Sequence, residues 1–291
     1  MRLYANAEFP MKITECPRDA MQGLTRFIPT VDKIRYLNAL LQVGFDTLDF
    51  GSFVSPKAVP QMQDTTEVLA GLDLTNTQTK LLAIVANQRG AEQAVGYEAI
   101  RYVGFPLSVS ETFQQRNTNK SIQEALADVA AMQRLCQQAD KELVVYLSMG
   151  FGNPYGDPYS PELVLDFTAR LADLAIRQVV PSDTVGTATP EAIQTLFDHL
   201  SDAFPHYAFG AHLHALPGEA PAKVRAAVQA GVRRIDGAIG GLGGCPMAAD
   251  SLTGNLPTEE IVATLGTLGI NTGLDMEAFS RARHLSHEIL L

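Results

Sequence analysis

Two histidines separated by a single residue, His212 and His214, lie near the end of a β-rich run. Alternate residues of a strand point to the same face, so both imidazoles can reach one metal ion. With the carboxylate of Asp19 they form a mixed nitrogen and oxygen set that suits Mn²⁺, Mg²⁺, Co²⁺, Fe²⁺ or Zn²⁺. Asn255 could supply a further oxygen. A hydrogen-bonded pair of core histidines is the alternative, but the adjacent Arg18 and Asp19 after another strand favour a metal site.

Two further residues could act on a substrate bound beside such a metal. Arg18 could stabilise a developing enolate oxygen, because a fixed cation opposes new negative charge; a surface ion pair is the alternative. Cys245 follows a glycine-rich stretch and precedes Pro246. Glycine permits large backbone movements, so we expect a mobile lid that carries Cys245 as an acid or base. An unreactive, apolar role is the alternative for Cys245, and it fits Cys136 better.

Eight short, β-rich apolar runs alternate with longer helical segments along the chain. The predicted strands are 11–18, 45–53, 80–87, 99–108, 142–151, 178–185, 207–216 and 233–241. This alternation indicates a parallel sheet, and eight strands favour a closed (β/α)8 TIM barrel. An open, doubly wound sheet is the alternative, although no Gly-x-Gly-x-x-Gly follows the first run. We expect one domain over 1–291, with the glycine-rich lid loop after strand eight followed by extra helices near 258–268 and 276–290.

The chemistry of a TIM barrel gathers at the C-terminal ends of its strands. Polar residues lie at or just after the ends of five predicted strands. They are Arg18 and Asp19 at the first, Asp49 and Ser52 at the second, Ser182, Asp183 and Thr184 at the sixth, His212 and His214 at the seventh, and Cys245 in the loop after the eighth. We therefore expect these side chains to meet at one mouth of the barrel.

Composition and charge narrow the possible partners. The formal net charge is −10 and the sequence pI is about 5.0. No basic stripe offsets this charge, so nucleic acid is not expected as a partner. No run of about 18 apolar residues is present that could cross a bilayer. Three cysteines form no disulfide pattern, and the first residues have no apolar signal core, so we expect a cytoplasmic protein.

Seven motifs, in order along most of the chain, resemble those of 3-hydroxy-3-methylglutaryl-CoA lyases, which are metal-dependent TIM barrels. The motifs are PRDAMQ (17–22), SFVSPKAVPQM (52–62), ETFQQRN (111–117), SDTVGTATP (182–190), HLH (212–214), GGLGGCP (240–246) and TGN (253–255). SFVSPK and GGLGGCP together are specific, whereas His-x-His alone is not. The resemblance implies a divalent ion, Mg²⁺ or Mn²⁺, and an acyl-CoA substrate that is cleaved to acetyl-CoA and acetoacetate.

The resemblance also implies a role for individual residues. The implied metal ligands are Asp19, His212, His214 and Asn255. The implied catalytic residues are Arg18 at the thioester carbonyl, Cys245 as acid or base, Asp183 near the substrate's hydroxyl or carboxylate, and Asp49 in place of a glutamate. The candidate substrate-binding residues are Gln22, Ser52, Lys57, Thr184 and Glu259. We also expect a homodimer.

Three positions depart from the pattern of these lyases. Ala20 replaces a glycine, Asp49 replaces a glutamate, and Ala215 replaces an aspartate. These changes leave open an aldol-type lyase that acts on another hydroxyacyl-CoA or on a 2-oxo acid. A Claisen synthase and a non-catalytic barrel that binds metal or acyl-CoA are further alternatives. The retained ligands, with Arg18 and Cys245, favour the lyase.

Overall fold

The structure, a computed structural model, describes residues 11–244 and 253–291. Eight parallel strands form the barrel: β1 (Lys12–Glu15), β2 (Thr47–Ser52), β3 (Lys80–Ile84), β4 (Ile100–Ser108), β5 (Glu142–Ser148), β6 (Gln178–Asp183), β7 (Gly210–Ala215) and β8 (Arg234–Gly237). Each strand pairs with the next along the chain, and β8 pairs with β1, which closes the barrel. A short ninth strand, β9 (Gly254–Asn255), runs antiparallel to β7. The predicted TIM barrel is confirmed.

Helices surround the barrel and continue after its last strand. In the described residues the α-helices are α1 (Pro17–Gln22), α2 (Thr30–Leu41), α3 (Thr65–Ala70), α4 (Gln88–Val95), α5 (Glu111–Thr118), α6 (Ile122–Gln138), α7 (Pro161–Asp173), α8 (Pro190–Ala203), α9 (Ala220–Gln229), α10 (Thr258–Thr267) and α11 (Met276–Leu290). The predicted capping box at the start of α6 is present, because Ser121 and Glu124 each accept a hydrogen bond from the other's backbone N–H. No helix in the described ranges has both the length and the apolar character to cross a membrane.

The interior of the barrel is apolar on one side and polar on the other. Alternate residues of each strand point inward, and those of β3 to β6 form a small apolar cluster of Leu82, Tyr102, Val144, Tyr146 and Val180. The buried polar side chains Thr14, Asp49, His214, Arg234 and Asp236 come from β1, β2, β7 and β8. The larger apolar core lies between the strands and the helices. The polar half of the interior therefore leads to the mouth where a site is expected.

The first predicted strand is too long. β1 ends at Glu15, and Arg18 and Asp19 lie in the first turn of α1 rather than at the end of a strand. Pro17 explains the early end, because its fixed φ and missing N–H suit the first position of a helix. On this helix Arg18, Asp19 and Gln22 share one side, which alternation along a strand would have prevented.

Besides α1, two short helices, α3 and α5, were not predicted. They have six and eight residues, which is too short for a helical period of apolar residues to stand out. α5 matters for the site, because its side chains Phe113, Arg116 and Asn117 form one wall of the cavity described below.

Candidate metal centre and active site

Three side chains from distant parts of the chain meet at the mouth of the barrel. Asp19 on α1 and His212 and His214 on β7 have their ligand atoms within 4.8 Å of one another. The two histidines share one face of β7 because they are two residues apart. The cluster predicted from the sequence is therefore assembled, and its one carboxylate and two imidazoles are donors that a divalent ion accepts.

His214 presents a free nitrogen to this cluster. Its Nδ1 lies 3.1 Å from the Thr184 carbonyl oxygen, which fixes the proton on Nδ1 and leaves a lone pair on Nε2. Nε2 is buried and has no hydrogen-bond partner in the described residues. Burial, and next the nearby His212, lower the pKa of His214 to about 4, so the ring is neutral at physiological pH. A neutral imidazole with a buried, unpaired lone pair is the state that metal binding requires.

Asn255 completes the set in the same way. β9 pairs with β7 so that Asn255 lies opposite His214. The Asn255 amide nitrogen donates to Asp19 Oδ2 over 2.7 Å and to the Leu242 carbonyl over 2.9 Å. Its Oδ1 is buried and has no hydrogen-bond partner in the described chain. An unpaired buried oxygen carries an energetic cost, and a cation at this position would remove it.

The electrostatics of Asp19 favour its charged form. Burial alone would raise the pKa of this carboxyl, but Arg18, His212 and the hydrogen bond from Asn255 oppose burial, and the net pKa lies below the usual value. Asp19 is therefore ionised at neutral pH and available as a ligand. The residues present fit a divalent cation. Three donor side chains converge, and Asn255 is hydrogen-bonded to one of them. His214 Nε2 and Asn255 Oδ1 have no partner within the described part of the chain.

Arg18 is held by three side chains beside the cluster. Its Nε and Nη2 donate to Asp49 Oδ2 over 3.0 and 2.5 Å, and Nη1 donates to Asp19 and to Gln22 over 3.0 and 2.9 Å. The Gln22 amide donates in turn to Asp19 over 2.6 Å. Burial and the neighbouring carboxylates Asp19 and Asp236 raise the pKa of Asp49 to about 6 in spite of Arg18. The guanidinium is thus fixed and charged at the edge of the metal cluster.

A cavity of about 460 Å³ opens from these residues. Its polar end contains Arg18, Asp19, Asp49, His212 and His214, and Gln22 and Thr184 also line it. Its other walls are mostly apolar and include Val54, Val59, Ile84, Val85 and Phe113. Most small-molecule sites are of this kind, with a few convergent polar groups in a largely apolar pocket.

Asp183 is not among the described residues that line this cavity, so its predicted place beside the substrate stays a prediction that the cavity wall does not support. In the β6–β7 register Ser182 pairs with His212 and Asp183 pairs with Leu213, so Asp183 points out of the barrel with Leu213. Its carboxylate binds Lys223 Nζ at 3.2 Å and accepts from the Ala188 N–H. Lys223 also donates to the carbonyl of His214 over 2.8 Å. Asp183 therefore supports the end of β7 through Lys223.

Three candidate substrate contacts also lie away from the cavity. The Ser52 hydroxyl donates to the Ile84 carbonyl over 3.1 Å, and this residue lines a separate cavity. Lys57 is exposed and is not part of the cavity wall. Glu259 accepts from the Gly240 N–H over 3.1 Å, so it supports the loop after β8. Gln22 and Thr184 are the candidate contacts that the structure brings to the cavity.

Cys245 lies outside the described residues, as does the middle of the predicted lid, residues 245–252. The described part of the glycine-rich loop ends at Gly244. The loop before it packs on the metal cluster: a Cβ at Gly243 would lie 2.7 Å from the Asp19 carbonyl oxygen and 2.8 Å from the Asn255 amide nitrogen. The role of Cys245 stays a prediction.

Sequence reasoning missed Asp236. This carboxylate lies on β8, 3.4 Å from His212 Nδ1. Arg234, two residues earlier on the same inward face, donates to it. The sequence did contain a signal for Asp236, namely two charged residues at positions i and i+2 of a buried strand. Charged side chains are buried inside a barrel only where they pair with another charge or bind a ligand.

Comparison with known proteins agrees with this geometry. The HMGL-like family model matches residues 12–285. Hydroxymethylglutaryl-CoA lyase YngG of Bacillus subtilis is 35% identical over 272 residues, which are 92% of this chain and 90% of that protein. The crystal structure of the B. subtilis HMG-CoA lyase has a TM-score of 0.90 and 33% identity, and covers 97% of this chain and 94% of that one.

An HMG-CoA lyase from Acinetobacter baumannii, solved with coenzyme A and 3-methylmalate, has a TM-score of 0.89 and 29% identity. The match covers 97% of this chain and 91% of that chain. With the family model spanning nearly the whole barrel, and with relatives above 30% identity over most of their length, the chain belongs to the HMGL-like family of carbon–carbon lyases.

Proposed function

We propose that this chain cleaves 3-hydroxy-3-methylglutaryl-CoA to acetyl-CoA and acetoacetate with the help of a divalent ion, Mg²⁺ or Mn²⁺. One observation carries the proposal: among residues 11–244 and 253–291, His214 Nε2 and Asn255 Oδ1 are buried without hydrogen-bond partners, and both side chains contact or adjoin Asp19 at the edge of an open cavity. The names of its relatives support the substrate.

Asp19, His212, His214 and Asn255 would hold the ion. When bound, it would act as a Lewis acid that polarises substrate oxygens and lowers the pKa of a hydroxyl group. The protein's own contribution is to keep these four donors in place before the ion arrives. The hydrogen bond from Asn255 to Asp19 does this for two of them at once.

Arg18 would stabilise the charge that develops when the carbon–carbon bond breaks. The departing acetyl thioester becomes an enolate, and its oxygen needs a fixed positive partner. Of the five N–H groups of an arginine, the bonds to Asp49, Asp19 and Gln22 use one on Nε, one on Nη2 and two on Nη1. The second N–H of Nη2 can donate to a substrate oxygen.

Two proton transfers complete the cleavage. The substrate's hydroxyl loses a proton as the ketone forms and the enolate carbon gains one, so the overall reaction neither consumes nor releases a proton. Cys245 is the candidate donor, as the resemblance to HMG-CoA lyases implies. Asp183 is not a candidate for moving the hydroxyl proton, because Lys223 binds it outside the cavity. Asp49 lines the cavity but is engaged by Arg18, so its role is to hold the guanidinium.

The apolar walls of the cavity suit the acyl and pantetheine part of an acyl-CoA. Val54, Ile84, Val85 and Phe113 would exclude water around the reacting carbons. A related lyase is known in complex with coenzyme A and 3-methylmalate, which supports a CoA thioester here. The cytoplasmic location and the homodimer remain predictions from the sequence.

The test is direct. The purified protein, freed of metal with EDTA, is incubated with 3-hydroxy-3-methylglutaryl-CoA with and without Mg²⁺ or Mn²⁺, and acetoacetate is followed. We expect acetoacetate and acetyl-CoA in equal amounts and only with metal. A panel of other hydroxyacyl-CoA thioesters and 2-oxo acids runs in parallel. Turnover of a panel member in place of the expected substrate, or no turnover at all, would overturn the proposal.

A further inference from the structure

We propose that Arg234 is a positioning residue for His212, because it binds two of the side chains that contact this imidazole, Asp236 and Tyr146. The inference rests on the metal site of the proposed function. It assigns a role to a buried cation that belongs to none of the seven motifs. Arg234 acts through its neighbours and does not itself reach the cavity wall.

His212 is contacted on three sides. Its Nδ1 lies 3.4 Å from Asp236 Oδ2. The ring of Tyr146 meets the imidazole edge-on, with centroids 5.7 Å apart and planes at 84°. The ring of His214 lies 5.2 Å away at 72°. With Nδ1 bound to a carboxylate, Nε2 is the nitrogen left for the metal, and the ring cannot turn without losing these contacts.

Arg234 binds two of the three side chains that contact His212. Its Nε donates to Asp236 Oδ1 over 3.1 Å and to the Thr14 hydroxyl over 2.8 Å. Its Nη2 donates to the Tyr146 hydroxyl over 2.9 Å. These bonds join β1, β5 and β8 across the inside of the barrel. Loss of the guanidinium would release the Asp236 carboxylate and the Tyr146 ring at the same time.

The surroundings of Arg234 are shaped for this side chain. It is buried, so its charge is tolerated only because Asp236 pairs with it. Gly210 on β7 lies beside it: a Cβ there would be 3.4 Å from Arg234 Cδ, which is an ordinary contact. The ion pair and this packing therefore hold the Arg234 side chain in one position.

Cys16, His212 and Asp236 also bring ligand atoms within 4.8 Å of one another, which raises the alternative of a second metal site. Both oxygens of Asp236 already have partners, Arg234 on Oδ1 and His212 on Oδ2. A divalent ion here would also meet the positive guanidinium of Arg234. The cluster therefore works as a hydrogen-bonded support for His212.

The test compares Arg234→Met with Arg233→Met, the same change at the neighbouring, exposed position. Two readouts are measured. The first is the tautomer of His212 in the metal-free protein, from nitrogen-15 NMR of labelled histidine at about pH 9, where imidazoles are neutral. The second is Mn²⁺ affinity, from the EPR signal of free Mn²⁺. Neither readout requires turnover of a substrate.

We expect Arg234→Met to mix the two tautomers of His212 and to weaken Mn²⁺ binding by about 10- to 100-fold, as loss of an outer hydrogen-bond partner does elsewhere. Arg233→Met should leave both unchanged. Arg234→Lys should restore part of the affinity, because an ammonium can still bind Asp236. Tyr146→Phe, which keeps the ring and loses the hydroxyl, should weaken Mn²⁺ binding less than Arg234→Met does. If Arg234→Met does not fold, Arg234→Lys and Tyr146→Phe are compared with the control instead.

An unchanged tautomer together with Mn²⁺ affinity within about twofold of the control would overturn the inference, even with a lower melting temperature. A wild-type protein that binds no Mn²⁺ would instead contradict the metal site of the proposed function. In that case the tautomer alone decides the role of Arg234: a mixture supports it and a single Nδ1–H form refutes it.

Discussion

Asn255 and Asp19 are joined by a hydrogen bond of 2.7 Å, although 236 residues separate them in the chain. The amide nitrogen also donates to the Leu242 carbonyl, so both of its hydrogens are used on the protein side. The amide oxygen is therefore the atom left to face the metal cluster. The hydrogen bond from the Asn255 amide therefore fixes the orientation of two side chains that we propose as metal ligands, Asn255 itself and Asp19.

Replacing Asn255 with Ala should weaken Mn²⁺ binding by at least about tenfold, because hydrogen bonds to charged groups contribute about 1.5–3 kcal/mol and about 1.4 kcal/mol is a factor of ten. Equilibrium dialysis followed by metal analysis measures the Mn²⁺ affinity. Asn76→Ala, at an exposed position, is the control and should bind like the wild type. Equal affinity of the two variants would contradict the assignment of Asn255 as a ligand.

Gly243→Ala should damage the same site from the other side. The new Cβ would lie 2.7 Å from the Asp19 carbonyl oxygen and 2.8 Å from the Asn255 amide nitrogen, so both ligands must shift. Gly44→Ala is the matched control: its φ of +85° resembles the +89° of Gly243, but its Cβ would meet nothing within 4 Å. Both variants should lose about 1–2 kcal/mol of stability from left-handed strain. Only Gly243→Ala should lose metal affinity. Equal metal affinity of the two variants would show that the close packing of Gly243 on Asp19 and Asn255 does not matter for metal binding.

Glu15 should make stability fall as the pH rises. Burial raises the pKa of this carboxyl to about 8, although Thr258 and the Ile239 N–H donate to it. The folded state therefore keeps a proton that the unfolded state releases between pH 4.5 and 8. Across that window Glu15 lowers the free energy of unfolding by up to about 1.4 kcal/mol per pH unit, and the loss is complete above the folded pKa.

Glu15→Gln keeps the size of the side chain and removes this titration. The difference in unfolding free energy between variant and wild type, from urea titrations in EDTA, should grow in favour of the variant from pH 5 to pH 8. A difference that stays constant with pH would mean that Glu15 has an ordinary pKa.

Asp183→Asn should destabilise the protein without removing a catalytic base. Loss of the buried partner of Lys223 costs about 3–5 kcal/mol in comparable ion pairs, and the end of β7 with His214 depends on this lysine. We expect a lower melting temperature and reduced activity, with the shape of the pH–rate profile unchanged. A stable variant whose profile has lost its acidic limb would restore Asp183 as a base.

Cys245→Ser should lower kcat by about 10²–10⁴-fold, the usual contribution of a general acid or base, while metal content stays normal. Cys136→Ser is the control, because this buried thiol on α6 lies outside the cavity wall. Full activity of the Cys245 variant would remove that residue from the proposed mechanism.

Much of this protein could be predicted from the sequence because the signals are local. Alternating apolar runs and helical periods predict the barrel, and His-x-His on a strand predicts two ligands on one face. Ser121 and Glu124 predict the start of α6 from four residues alone. Motifs of a few residues, in order, indicate the family.

The sequence could not predict the surroundings of residues whose partners lie across the barrel. Asp183 ends a strand as predicted, yet the β6–β7 register points it outward, and a shift of one residue reverses the face. Arg18 and Asp19 share a side only because Pro17 starts a helix. Asp236, Arg234 and Tyr146 come from two strands and meet only when β8 closes against β1.

The sequence by itself thus determined the type of fold and the shared strand face of His212 and His214, since these follow from local periodicity and spacing. Only the tertiary structure decided which nitrogen of each histidine is free, which atom of Asn255 faces the cluster, and which carboxylates remain outside the cavity. Those properties are set by hydrogen-bond partners that are distant in sequence. Closure of the barrel brings the bonded atoms of these partners within 3.5 Å of the two histidines and Asn255.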